Sequence, residues 1–331
     1  MRIRGLCLAG YCMVFSVFTA CAGFGYRASA EEYYAIGMAY LDLGKYTEAE
    51  QWLNRARALD KTKVASEYNL GRIAFETKQY GEALKYFERL LKKDPVNLMV
   101  LKAAAYTHIK LGNIPEAEAL YQRVLALAPQ SADDGYNYAL VLYAMEKYEQ
   151  SEQVLAGHPF ALQENKDVLL LFARAQKAQH KPEAADSYAR WLELQGEKGD
   201  PLVRSEYAAV LEEGGFYARA LEEYRLLLTE LPKESSPGQE LSPERVRFTL
   251  ARLLLIADPE NEEGLAELTA ALTEGFNDQD ALEALMEEEG ISEAHKTAIR
   301  RLIDEGPPKD AEADTEDTED AFLSEELPAE E

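Results

Sequence analysis

The side chains that most often carry catalysis are thinly spread along this chain. His108, His158, His180 and His295 lie far apart, none falls in an H-E-x-x-H arrangement, and no pair stands at the spacing of metal ligands. Each reads as a surface or packing residue. Adjacent acids such as Glu212-Glu213 and Glu222-Glu223 are common, but on the helices of an acidic protein such pairs form solvated faces. The run from Asp314 to Asp320 has neither the glycine nor the closing glutamate of a calcium loop. No phosphate-binding glycine motif follows a strand, and the pattern predicts no strand at all. Cys7, Cys12 and Cys21 all fall at the start of the chain, which leaves the rest without a disulfide or a thiolate metal site. The expectation is a protein that is not an enzyme, holds no cofactor or metal, and acts by binding.

Charge narrows what it binds. There are 60 acidic residues against 35 basic ones, for a formal charge of −25. A field of that sign repels phosphate backbones and anionic lipid surfaces, so nucleic acid is not expected as a partner and basic or neutral protein surfaces fit better. Residues 306–331 concentrate the effect. They hold 11 acids against Lys309 alone and few apolar side chains, a composition that reads as a disordered acidic tail.

The first thirty residues read as a targeting segment. Arg2 and Arg4 form a short positive region, Leu6 to Phe18 is apolar, and Ala28-Ser29-Ala30 is an A-x-A cleavage pattern. On this reading residues 1–30 are a signal peptide and the protein is exported to the periplasm or cell envelope. A second reading stands beside it: Phe18-Thr19-Ala20-Cys21 resembles a bacterial lipobox, with Phe18 where Leu is usual, which makes residues 1–20 a lipoprotein leader and Cys21 the lipidated N-terminus. An uncleaved anchor is the third, although the apolar run falls short of the ~20 residues that a membrane helix needs. Membrane contact is expected only through such an N-terminal lipid or anchor.

Stability must then come from helix packing, and the apolar pattern says how. Three consecutive 34-residue blocks, beginning at Ala30, Val64 and Leu98, align without a gap. The first carries Tyr33, Ile36, Gly37, Tyr40, Tyr46, Ala49, Trp52, Leu53 and Ala56. The second carries Tyr68, Leu70, Gly71, Tyr80, Ala83, Phe87 and Asp94-Pro95, and the third Ala104, Ala105, Leu111, Gly112, Ala117, Tyr121 and Pro129. In type and order these residues resemble the tetratricopeptide repeat, and with the leader the chain is similar to exported bacterial members, lipoproteins among them. The resemblance implies an all-α fold, an α-solenoid of about six to seven antiparallel helix pairs. Small residues at positions 8 and 20 of each repeat, such as Gly37 with Ala49 and Gly71 with Ala83, let the two helices approach. Gly44 and Gly112 supply left-handed caps between them.

The array is expected over residues 31–232, with repeats near 30–63, 64–97, 98–131, 132–158, 166–196 and 201–232. The fourth has Ser151 where Ala is usual, and Gly157-His158-Pro159 breaks its second helix. The fifth fits if one residue is missing from its turn. The sixth opens at Asp200-Pro201, a cap followed by a first-turn proline. Residues 233–241 read as a linker, and Ser242-Pro243 restarts a helix with another cap. Residues 242–305 then hold a degenerate repeat and two capping helices, before the tail at 306–331.

The resemblance also implies a surface. In a tetratricopeptide stack the first helices line a concave groove through positions 2, 5, 9, 12 and 13. Here those positions give Tyr34, Met38 and Leu41, then Tyr68, Arg72 and Phe75, then Lys102, Tyr106, Ile109 and Lys110, then Tyr136, Leu140 and Tyr143. Large rigid aromatics beside Arg and Lys make up binding hot spots, so a protein or peptide partner is expected there. With 19 tyrosines in the chain, some of these residues are equally open to a packing role. The five-residue carboxylate clamp of some relatives is not carried over, since only Asn69 matches it while Tyr34, Met38, Met99 and Ala103 hold the other places.

Overall fold

The structure is a computed structural model that describes residues 28–59, 62–196, 199–232, 241–258 and 262–307. The leader with Cys21, most of the linker and nearly all of the acidic tail lie outside the described residues. The described chain is all-α, and it divides into two compact units, Met1–His158 and Pro159–Glu331.

The first unit is four helix pairs: α1 (Ala30–Asp42) with α2 (Tyr46–Ala58), α3 (Lys63–Glu76) with α4 (Tyr80–Lys93), α5 (Leu98–Lys110) with α6 (Ile114–Leu127), and α7 (Ala132–Ala144) with α8 (Tyr148–Ala156). Counting each repeat from its block start, the residue at position 16 donates its N–H to the carbonyl at position 11, as in Lys45 to Tyr40 at 2.9 Å and Gln79 to Ala74 at 2.7 Å. That bond needs a left-handed residue at position 15. Gly44 (φ 69°) and Gly112 (φ 77°) meet the requirement without strain, whereas Lys78 (φ 61°) and Glu146 (φ 58°) meet it with a side chain in place.

Small residues set the helix spacing. A Cβ on Gly37 would lie 2.8 Å from Leu53 Cγ, and one on Gly71 would lie 2.7 Å from Phe87 Cε1. Ala49, Ala83 and Ala117 are fully buried across from them. Ser151 takes the same place in the fourth repeat because its hydroxyl donates to the Ala139 carbonyl at 2.9 Å, which satisfies a polar group that would otherwise be buried without a partner.

The second unit opens with α9 (Pro159–Glu164), a six-residue helix in a stretch that the sequence marks only as a break. Proline ends the preceding helix and starts this one, since its missing N–H costs nothing at a first position. The following pairs are α10 (Lys166–Lys177) with α11 (Ala184–Gln195) and α12 (Pro201–Glu213) with α13 (Tyr217–Glu230). The turn of the fifth repeat is not shortened: Lys181 N–H reaches the Gln176 carbonyl and His180 (φ 53°) stands at the left-handed position. The missing residue falls just after it. Ala184 N–H bonds the carbonyl three residues back, at Lys181, where the other repeats bond four residues back, and this tight first turn brings Ala184 and Tyr188 inward.

Helices α14 (Pro243–Ala257), α15 (Glu262–Thr273), α16 (Gln279–Glu287) and α17 (Glu293–Glu305) complete the unit. Gly264 permits the α14–α15 contact, where a Cβ would lie 2.7 Å from Leu255 Cγ. Phe248, Leu255, Leu268, Phe276, Leu285 and Ile299 form one core across all four helices and the loop after α15, which closes the end of the repeat packing. Ser242 precedes α14 but makes no capping bond, and its hydroxyl is buried without a partner among the described residues, so the cap read from Ser242-Pro243 is positional only.

Candidate partner-binding face

The face begins with the way neighbouring first helices are held in register. Asn69, buried in α3, donates its amide to Tyr34 Oη of α1 at 3.0 Å and to the Ala65 carbonyl, and its carbonyl oxygen accepts from Arg72 Nη1 at 3.0 Å. This chain of bonds ties the first repeat to the second and fixes the root of the Arg72 guanidinium. Among the described residues no carboxylate pairs with Arg72.

One turn on, Phe75 has its ring 5.2 Å from Tyr80 and 5.2 Å from Tyr106 of α5. The Phe75–Tyr106 contact crosses from the second repeat to the third. Tyr106 stays 45% exposed, and Lys110 Nζ lies 5.1 Å from its ring centre, inside cation–π range. Tyr68 is half-buried against Phe87 at 5.8 Å. Its burial raises the phenol pKa, and the charges of Arg72 and Lys102 partly offset the rise. Lys102 in turn pairs with Asp134 of α7 at 2.9 Å. The face thus gathers Arg72, Lys102 and Lys110 with the rings of Tyr68, Phe75 and Tyr106, and Asp134 is the carboxylate that pairs with Lys102.

Not every expected residue joins it. Leu41 is buried with Leu53, Leu70 and Ile73, so it is a core residue; position 12 faces inward where the second repeat covers it. Ile109 packs on the core formed with Tyr121 and Leu142. Tyr34 and Met38 are half-buried at one side of the face, while at the other Leu140 is 39% exposed and Tyr143 makes an edge contact with Tyr148 at 5.1 Å. Tyr136, one turn before Leu140 in α7, is half-buried. Asn69 and Asp134 belong to the face although the groove positions omit them. The available signal was position 3, where Ser66 and Val100 are buried: a charged residue at that place must find a partner.

Residues 159–195 are largely helical. In the second unit a cleft of about 400 Å³ is lined by Lys177, His180, Lys181, Glu213 and Phe216. His180 stands 3.5 Å from Glu213 with its side chain 84% exposed, so solvent screens the pair. Among the described residues no group of three His, Cys, Asp or Glu is placed to hold a metal ion, and no helix is long and apolar enough to cross a membrane.

Comparison with known proteins follows the same frame. Residues 26–63, 34–98 and 68–132 match one tetratricopeptide repeat family model, and residues 108–171 match a second. The chain is 28% identical over 148 residues to an uncharacterized lipoprotein of Treponema pallidum (strain Nichols), covering 45% of this chain and 76% of that one. It is 31% identical over 101 residues to anaphase-promoting complex subunit 6 of Arabidopsis thaliana, but this spans 29% of the chain and 19% of the relative. The crystal structure of a tetratricopeptide repeat protein from Parabacteroides merdae superposes with a TM-score of 0.51 at 21% identity, over 77% of this chain and 97% of that one. At that identity the likeness shows the fold.

Proposed function

The chain belongs to the tetratricopeptide repeat family, and from that premise we propose that it is an envelope scaffold whose first four repeats hold a protein or peptide partner on the face of their first helices. The observation that carries this reading is the contact between Phe75 and Tyr106, which joins two repeats into one aromatic surface flanked by Arg72 and Lys110. Tyr106 is exposed and ordered by its neighbours, so a partner gains aromatic contact area at little entropic cost. Arg72 and Lys110 add donors for carboxylate or carbonyl groups. The test is crosslinking and capture from native envelopes with wild type and the Arg72→Ala, Tyr106→Ala double variant. The reading expects one set of partners to disappear from the variant with its helical content unchanged. Identical partner sets would sink it.

A second reading concerns attachment: the scaffold is lipid-anchored at Cys21 and serves as an accessory subunit of a transport or outer-membrane assembly. Two observations favour it. One is the kinship to a lipoprotein over most of that relative's length. The other is the start of α1, where Ser29 Oγ accepts from Glu32 N–H at 3.2 Å and Glu32 Oε2 accepts from Ser29 N–H at 2.7 Å. Cleavage after Ala30 removes this reciprocal cap together with the buried Ala30, whereas cleavage before Cys21 keeps both. Labelled fatty acid should enter the wild type and not Cys21→Ala; equal labelling of the two would refute the anchor.

A further inference from the structure

Within the first unit each first helix after α1 is covered by the second helix of the repeat before it, and one position shows this plainly. At position 7, Leu70 is 2%, Ala104 1% and Tyr138 9% exposed, whereas Ile36 is 37% exposed. The residues at positions 3 and 10, buried in those repeats as Ser66, Val100 and Asp134 and as Ile73, Thr107 and Val141, are Glu32 and Ala39 in α1, and neither is buried. The edge of the first repeat is therefore an open packing face among the described residues.

Its chemistry differs from that of the covered edges. Those are mainly aliphatic or small, with Val100, Leu101 and Ala104 as the example and Tyr138 as the ring at position 7 of the fourth repeat. The open edge carries rings with cations laid over them: Tyr33 against Trp52 at 5.7 Å, Arg55 over Trp52 at 4.4 Å, and Lys45 over Tyr40 at 5.9 Å. Leu43, at 70% exposure, extends it. Amphipathic rings beside Lys and Arg are the composition that partitions to the boundary of lipid and water, where the ring meets the acyl region and the cation meets phosphate. Position along the chain points the same way, since Ala30 is the ninth residue after Cys21 and an extended tether of that length reaches at most ~32 Å.

We infer that this edge, formed by Tyr33, Ile36, Tyr40, Leu43 and Trp52 with Lys45 and Arg55, rests on the phospholipid surface to which the chain is tethered. The inference builds on the lipid-anchor reading. Docking is driven by rings and aliphatic side chains, so a zwitterionic surface suffices and the net charge of −25 opposes only strongly anionic ones. A face held this way fixes the orientation of the first unit, and so of the partner-binding face, relative to the membrane.

The test uses the chain from Cys21 onward, in which Cys21 is the only thiol and couples to a maleimide phospholipid in phosphatidylcholine vesicles. Trp52 and Trp191 are the only tryptophans, so the Trp52→Phe variant supplies the Trp191 background for subtraction. The expected result is a blue shift of Trp52 and loss of about half its emission with brominated lipid, both abolished by Ile36→Glu with Leu43→Glu at unchanged circular dichroism. Unquenched Trp52 emission overturns the inference, as does a shift that grows with protein density and ignores brominated lipid, which would mean that a second copy covers the edge. Chemical coupling makes this outcome independent of fatty-acid labelling in cells, so failure of the anchor and failure of the docking are told apart.

Discussion

Lys102 and Asp134 lie 32 residues apart and meet at 2.9 Å, joining the first helices of the third and fourth repeats through a carboxylate whose side chain is 3% exposed. The lysine is 44% exposed, so water reaches one partner of the pair and scarcely touches the other. Asp134 also begins α7, where its N–H is capped by Ser131 Oγ at 3.3 Å. The carboxylate therefore sits on the favourable end of the helix dipole as well as beside a cation.

Removing the lysine leaves that buried charge without its counter-ion. Lys102→Met is expected to lower unfolding free energy by about 1–2 kcal/mol, less than a fully buried pair would lose because solvent reaches the site. Asp134→Asn alone should cost a similar amount, and the double variant should cost less than the sum of the two. Urea unfolding of all four proteins closes the cycle; additive losses would show that the pair is not coupled.

Position 15 offers a gain in stability. Lys78 and Glu146 hold the left-handed conformation that Gly44 and Gly112 hold freely, at a cost of roughly 1 kcal/mol for each side chain. Lys78→Gly and Glu146→Gly are each expected to raise stability by about 0.5–1 kcal/mol, since the strain relieved exceeds the extra entropy of an unfolded glycine. Thermal melting reads this directly, and a lower Tm in both variants would refute the account.

These turns also show how far the sequence could be read. Glycine at 44 and 112 announces its backbone geometry, because no other residue prefers it. Lys78, Glu146 and His180 carry no such mark, and only the surrounding repeat forces them into the same shape. The one-residue shift before Ala184 is legible as a shift but not in its place, since the 34-residue frame counts residues and cannot tell a short turn from a tight first helical turn. On the face, spacing brings Phe75 and Tyr106 to one side of successive helices. It does not separate Leu41 from them, because positions 9 and 12 are one helical turn apart and burial there depends on the next repeat. Asp134 was hidden for a similar reason: its partner belongs to another repeat.

Alkaline pH should destabilise both units. Burial pushes the Tyr121 phenol up to about 12, with Asp134 and Tyr106 adding to the shift, and burial with Glu213 pushes Tyr224 to about 12 as well. In the unfolded chain a tyrosine loses its proton near 10. Between these values the folded state holds more protons than the unfolded one, so stability is complete below about pH 10 and falls as pH rises toward 12. Each phenol accounts for about 2–3 kcal/mol across that window. Urea unfolding at pH 9 and pH 11.5 should show the loss, and Tyr121→Phe should flatten the dependence in the first unit; an unchanged slope would assign it elsewhere.

The start of α1 gives a prediction that separates stability from processing. Ser29→Ala removes an N-cap acceptor and one half of a reciprocal pair with Glu32, so the first repeat should lose about 1 kcal/mol. Glu32→Ala should cost less, because the Ser29 hydroxyl still accepts from the backbone N–H at residue 32. A mature chain that begins at Glu31 would lack Ser29 altogether and would be indifferent to its identity. Intact mass of the mature protein therefore decides between a chain that starts at Cys21 and feels Ser29→Ala as a lower Tm, and one that starts at Glu31 and does not. The lipid-anchor reading expects the first outcome, and a mature mass starting at Glu31 would show that α1 begins without its cap.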